Sequence, residues 1–218
     1  MKLEIISLKL TLLGLCSSFS VTLNAHSGGL DSTGGHFDRS TGLYHCHSQS
    51  CSPEEISQAT EGYNRDEWIH WIDEDNDCQD LRAELLIESS IEPVTFKSSK
   101  ACIVDLGLWL TPYSRETFTR AGGLDVDHVV PLKYAHQAGA AVWNRSRKRQ
   151  FANDLRNVLL VSRTENRKKG AKGPADYLPA KEFQCNYAKI WAEVSEIYGL
   201  TLRFKDANLI TKILSECQ

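Results

Sequence analysis

A carboxylate and an imidazole stand side by side at Asp127 and His128, inside the run Leu-Asp-Val-Asp-His-Val-Val-Pro-Leu (124–132), and two carboxamides follow at Asn157 and Asn166. Carboxylate and carboxamide oxygens are hard donors of the kind Mg²⁺ prefers. An imidazole with an unperturbed pKa of about 6.5 can take a proton near neutral pH. These residue types suit metal-assisted cleavage of a phosphodiester, in which a base deprotonates water and a cation meets the charge that builds on the phosphate and leaving oxygens. Ten Lys or Arg residues lie between Arg145 and Lys172 against two acids, Asp154 and Glu165, so a basic segment overlaps these groups although the whole chain carries a net charge of −3. Distribution, not total, decides whether a polyanion is attracted. Within this segment Arg167, Lys168 and Lys169 are the expected contacts for flanking phosphates, adding affinity without reading sequence.

Two strands and a short helix must position these groups. Residues 126–130 read as a strand carrying Asp127 and His128, and 157–162 read as a second apolar strand. Thr164 is the expected N-cap of a helix holding Asn166, with Gly170 as its stop. Neighbouring strand residues point to opposite faces, so Asp127 and His128 divide their labour: one can hold a metal while the other addresses water. Residues 134–155 read largely as a helical insertion with a basic face. Trp68, Trp71, Leu81, Leu85 and Leu86 recur at helical spacing and suggest one amphipathic face, with both tryptophans structural. His70 and His136 then fall in helical stretches as ordinary core or surface residues. Short β-like runs at 94–96, 101–104 and 108–110 and a packing helix with Ile190, Trp191, Val194, Ile197 and Tyr198 on one face complete an α+β reading.

The three separated segments Asp-Val-Asp-His-Val-Val-Pro-Leu, Asn157-Val-Leu-Leu-Val and Glu-Asn-Arg-Lys-Lys-Gly resemble the HNH, or ββα-metal, nucleases. They are similar to the GmrSD-type HNH domain of exported bacterial nucleases, and in order to the HNH domain of RNA-guided CRISPR nucleases. The resemblance covers roughly residues 63–179. It implies that His128 is the general base, that Asp127 and Asn166 ligate one divalent ion, and that Asn157 steadies the His128 loop by hydrogen bonding. Asn166 stands where the family often has His, which favours Mg²⁺, with Mn²⁺ or Ca²⁺ as alternatives, over Zn²⁺. A purely structural account would make Asp127 and His128 a hydrogen-bonded pair and the two asparagines turn residues. The ordered series of four argues against it.

Residues 1–25 carry Lys2 and Lys9 beside a short apolar stretch and read as a signal peptide, implying a secreted or periplasmic bacterial protein with no membrane association after cleavage. Removal takes Cys16 away and leaves six cysteines in a disulfide-permissive compartment. Proximity suggests the pairs Cys46–Cys51, Cys78–Cys102 and Cys185–Cys217. Residues 26–52 form a Gly- and His-rich segment and linker too poor in aliphatic side chains to build a core. Its Tyr44-His-Cys-His stretch resembles the Tyr-His-Tyr-His module of exported bacterial proteins. His26, Asp31, His36, His45 and His47 could hold Zn²⁺ or another transition metal there. The remaining 53–218 is expected to be one nuclease domain, with its HNH core at about 120–180.

Asp73, Asp75, Asp77 and Glu84 match EF-hand calcium-loop spacing, except that Cys78 occupies the glycine position. An acidic loop leading into a helix is the plainer reading. The leading expectation is a monomeric, metal-dependent endonuclease acting on DNA, or also RNA, through backbone contacts. The competing class is a non-catalytic exported metal-binding or adhesion module on an HNH-like scaffold.

Overall fold

The computed structural model describes residues 62–217, together with the backbone of two short strands nearer the N-terminus. Those strands, β1 (Gly35–Phe37) and β2 (Tyr44–Cys46), pair antiparallel with His36 opposite His45. The signal peptide, the ligand set His26, Asp31, His36, His45 and His47 as side chains, and the Cys46–Cys51 pairing lie outside the described residues. Among the described residues no helix is long and apolar enough to cross a membrane.

The observed architecture is α+β. A one-turn 3₁₀ helix (Arg65–Glu67) leads through an acidic turn into α1 (Leu81–Glu88). Asp80 caps α1 by accepting from the Ala83 amide, and Leu81, Ala83 and Leu86 are its buried face. The helical spacing of the tryptophans does not hold: Trp68 and Trp71 precede α1 in irregular chain. The physical reason is the Asp-rich run between them and the helix, where Asn76 (φ 63°) and Cys78 (φ 77°) take left-handed conformations that end any continuous helix.

Strands β3 (Thr95–Phe96), β4 (Val104–Leu110) and β5 (Thr117–Arg120) form an antiparallel sheet in that order. Strands β6 (Leu124–His128) and β7 (Val158–Ser162) form a separate antiparallel pair, with Asp127 opposite Leu159 and His128 opposite Val158. Leu124 and Val126 on one face of β6, with Val158 and Leu160, pack against Leu86, Val104 and Trp109. The Trp109 indole donates to the Leu86 carbonyl at 2.8 Å, tying sheet to helix. On the opposite face Asp125 and Asp127 meet α4 (Arg163–Lys169).

Strand β6 ends at His128, two residues earlier than the apolar pattern suggests. Asn157 takes over: its Oδ1 accepts from the Val130 amide at 2.8 Å, its Nδ2 donates to the Val130 carbonyl at 3.2 Å, and its own carbonyl accepts from the Val129 amide at 2.8 Å. Both backbone groups of a buried residue are thereby satisfied without a ladder partner.

The β6–β7 connection is not one basic helix but α2 (Leu132–Gln137), a 3₁₀ turn (Ala140–Val142), α3 (Arg145–Ala152) and a second 3₁₀ turn (Leu155–Asn157). Gly139, at φ 117°, makes the first break. Helix α4 is capped by Ser162, whose hydroxyl accepts from the Glu165 amide at 3.2 Å, and not by Thr164, which sits inside the first turn. Gly170 stops it with a positive φ of 53°. Helices α5 (Gln184–Tyr198) and α6 (Phe204–Glu216) then build the larger core, where Tyr187, Trp191, Val194 and Ile210 pack with Tyr134 and Phe151. Ile197, expected on the packed face, is 45% exposed.

Candidate active site

Strand alternation separates Asp127 and His128 onto the two faces of the β6–β7 pair, and each finds a different environment. His128 is 5% exposed. Its Nε2 lies 2.8 Å from the Ala152 carbonyl at the end of α3, and because a carbonyl can only accept, Nε2 carries the proton. Nδ1 is then the basic nitrogen. The ring stacks on Trp71, with centroids 5.0 Å apart and planes 16° apart. Burial pushes the imidazole pKa down to about 3, against the Ala152 bond, with Arg65 and His70 adding to the downward push. The ring is therefore neutral at physiological pH.

Asp127 is also buried, and its carboxylate accepts from the Tyr113 hydroxyl at 2.8 Å and from Lys169 Nζ at 3.0 Å. Burial raises the Asp127 pKa and lowers that of Lys169, while each partner opposes the other's shift. Lys169 donates in addition to the His128 carbonyl at 2.7 Å. This corrects the sequence reading of Lys169: it is wholly buried, an internal counter-ion joining α4 to β6, so it does not reach a flanking phosphate. Arg167 and Lys168 do stand on the exposed side of α4. Lys168 lies 3.5 Å from Glu165.

Asn166 donates through Nδ2 to Asp125 at 3.1 Å, and Arg163 approaches the same carboxylate at 3.4 Å. Asn166 thus meets Asp125, not Asp127, among the hydrogen bonds of this face. Asp125 is the residue that sequence reasoning passed over here. Its spacing of two from Asp127 already places both carboxylates on one face of a strand.

Three further members of the basic segment are engaged in ion pairs within the chain, and of these only Lys148 is buried. Lys148 pairs with Glu67, Arg149 with Glu74 at 3.0 Å, and Arg156 with Asp154 at 2.6 Å. Apart from Lys148 and Lys169, the Lys and Arg side chains of residues 145–172 are exposed.

The chain before α1 supplies the other wall. His70 donates from Nδ1 to the Trp68 carbonyl at 2.6 Å, and its ring lies 5.0 Å from Trp71 and 6.3 Å from His128. It occupies irregular chain, not a helix. Neither its place beside His128 nor the stacking of Trp71 carried a periodic signal. Beyond Trp71, carboxylate oxygens of Asp73, Asp75 and Asp77 lie within 4.8 Å of one another. Asp73 accepts from the Cys78 amide at 2.9 Å, and Cys78 takes the left-handed φ that its place in the spacing demands. Glu84, on the first turn of α1, stands outside that cluster of three, with its pKa raised by burial and by these aspartates. Arg82 holds the entry to β6 by donating to the carbonyls of Ala121 and Leu124 at 3.0 and 2.9 Å.

Residues 79–210 match the family described as GmrSD restriction endonucleases, C-terminal domain. A protein of Arthroderma benhamiae, described as an uncharacterized secreted protein, is 34% identical over 160 residues, covering 72% of this chain and 76% of its own length. No solved structure matches.

Proposed function

The chain belongs to the family of GmrSD restriction endonuclease C-terminal domains, and on that premise we propose that it is an exported, metal-dependent endonuclease that hydrolyses the phosphodiester bonds of DNA, with RNA as the alternative substrate, and with little sequence preference. The observation that carries the reading is the setting of His128 at the end of β6: its Nε2 donates to the Ala152 carbonyl, which leaves Nδ1 as the nitrogen with a lone pair.

The donors on the α4 face are of the oxygen type a hard divalent cation takes, with Asp127 bonded in this structure to Tyr113 and Lys169 and Asn166 to Asp125. Asp127 and Asn166 are both oxygen donors, and a carboxylate has lone pairs beyond those engaged by Tyr113 and Lys169. Asp127 and Asn166 would hold Mg²⁺, with Mn²⁺ or Ca²⁺ as substitutes. Such an ion, when bound, stabilises negative charge on the phosphate and on the leaving 3′ oxygen. In the protein's own part, His128 takes a proton from the attacking water at Nδ1 as the water's oxygen bonds to phosphorus. The bond to the 3′ oxygen breaks, and the products carry 5′-phosphate and 3′-hydroxyl ends. Asn157, by pinning Val129 and Val130, keeps the end of β6 from shifting His128. Arg167 and Lys168 add backbone affinity.

Export is supported by the disulfides Cys78–Cys102 and Cys185–Cys217, which suit an oxidising compartment, and by the description of the fungal relative as secreted. The test is plasmid cleavage by the mature protein with Mg²⁺, Mn²⁺ or EDTA. His128→Ala is expected to lower the rate by about 10² to 10⁴-fold, the usual worth of a general base. Cleavage that survives both EDTA and His128→Ala sinks the proposal, and the absence of cleavage with every ion returns the protein to the non-catalytic metal-binding class.

A further inference from the structure

Strand β6 presents two carboxylates, Asp125 and Asp127, on the face that meets α4, and the fold treats them differently. Two residues apart on a strand, their side chains leave the backbone on the same side, so both stand within reach of the helix.

Asp127 is already engaged. Its Oδ2 accepts from the Tyr113 hydroxyl at 2.8 Å and its Oδ1 from Lys169 Nζ at 3.0 Å, and both partners are buried with it. The ammonium compensates the carboxylate, so the pair as a whole offers a cation no net negative charge. A divalent ion brought against Asp127 would also stand close to that ammonium, and repulsion between like charges away from water is strong.

Asp125 is held less tightly. Its side chain is 29% exposed, and its ion-pair partner among the described residues, Arg163, approaches Oδ1 at 3.4 Å with a side chain 48% exposed. A loose pair at the surface contributes little and is readily displaced. Arg82, the other cation acting on Asp125, spends its guanidinium on the carbonyls of Ala121 and Leu124.

The spacing of Asp125 and Asn166 fits a small hard ion. Asn166 Nδ2 lies 3.1 Å from Asp125 Oδ2, so turning the amide over brings Oδ1 to that place. Adjacent oxygens of an octahedral Mg²⁺ shell, each at about 2.0 to 2.1 Å from the ion, stand about 2.9 Å apart. Both side chains are half-buried, which leaves the remaining positions open to water, as suits an ion that dehydrates reluctantly.

We propose that Asp125 is the anionic ligand of the divalent ion, joined by Asn166, while Asp127 is held as the counter-ion of Lys169 and reaches the ion through no more than a remaining lone pair. This rests on the endonuclease reading and deepens it, because it names the carboxylate that supplies the charge. The burial of Lys169 against Asp127 is what moves that role two residues along the strand.

The test reads binding without catalysis. Mn²⁺ is titrated into the mature protein in the absence of nucleic acid, and NMR follows the paramagnetic broadening of the Asn166 side-chain amide and of the backbone amides of residues 124–128. The amides of residues 75–78 report separately on the acidic turn. Saturable broadening around Asn166 is expected, weakened at least about tenfold in Asp125→Asn, which keeps the shape of the side chain and removes its charge. Arg163→Gln leaves the carboxylate in place and is expected to tighten binding about two- to fivefold, the scale of an exposed ion pair. Asp127→Asn combined with Lys169→Met removes both charges of the internal pair at once, an exchange that buried pairs tolerate, and should keep Mn²⁺ affinity within about threefold of the wild type. If Asp125→Asn binds as the wild type does, if the double variant loses more affinity than Asp125→Asn, or if broadening is confined to the acidic turn, Asp125 is not the anionic ligand. Cleavage that still requires a metal and His128 then keeps the nuclease reading. If binding at Asn166 depends on Asp125 but the wild type cuts no nucleic acid with any ion, the cation site stands and the nuclease reading falls.

Discussion

Lys169 and His128 show how burial redefines the job of a charged or titratable residue. In a basic motif Lys169 looks like a phosphate contact, but its ammonium is enclosed between Asp127 and the His128 carbonyl. Removing one partner of a buried ion pair leaves the other charge unpaired, at a cost of about 3 to 5 kcal/mol. Lys169→Ala is accordingly expected to lower the urea-unfolding free energy by that amount, whereas a lysine serving only phosphate would leave it unchanged. His128 gives a pH dependence whose sign follows from its depressed pKa. The unfolded ring protonates below about 6.5, while the folded ring resists protonation down to about 3. Between these values the unfolded state binds the extra proton, so stability is fully present above pH 6.5 and is lost as pH falls, by about 1.4 kcal/mol per unit. Unfolding curves of wild type and His128→Asn at pH 7 and pH 4.5 should diverge, and parallel pH dependences would show that the ring is not held neutral by burial.

At the scale of elements, the β6–β7 pair followed by α4 is the frame on which the site is hung, and its closing residue is Asn157. That side chain is wholly buried and bonds to both backbone groups of Val130. Asn157→Ala leaves a buried amide and a buried carbonyl without partners, each costing about 1 to 3 kcal/mol. The expected outcome is a loss of stability of about 2 to 6 kcal/mol together with a fall in cleavage rate, since the end of β6 carries His128. Unchanged stability would remove Asn157 from its positioning role. The alternation of β6, the apolar run of β7 and the glycine stop of α4 were readable because they depend on local sequence. The end of β6 at His128 was not, because it depends on Asn157 arriving from 27 residues away.

At the scale of the whole molecule, two disulfides among the described residues close loops that local packing leaves open. Cys185–Cys217 joins the start of α5 to the end of α6 across 32 residues, and Cys78–Cys102 ties the acidic turn to the chain leading into β4 across 24. Loop-closure entropy for such lengths corresponds to about 3 to 4 kcal/mol each. Replacing Cys185 and Cys217 together by Ser should lower the stability by about that amount, as read by thermal or urea unfolding. A loss much smaller than this would mean that the helix pair holds without the bridge.

What the amino-acid order determined by itself was whatever repeats at short range or carries its own chemistry: the strand bearing Asp127 and His128, the helix bearing Asn166 and the α+β class, while proximity only suggested the pairings Cys78–Cys102 and Cys185–Cys217 that the structure shows. The tertiary structure alone decided that Lys169 is an internal counter-ion, that Asn166 meets Asp125, and that Arg65, His70 and Trp71 stand beside His128. Those outcomes turn on burial and on contacts between segments about 40 to 80 residues apart, as from Asp127 to Lys169 (42 residues) or from Ile69 to Asn153 (84 residues). No periodicity records such contacts, because the free energy that selects them comes from excluding water and satisfying polar groups across the folded chain.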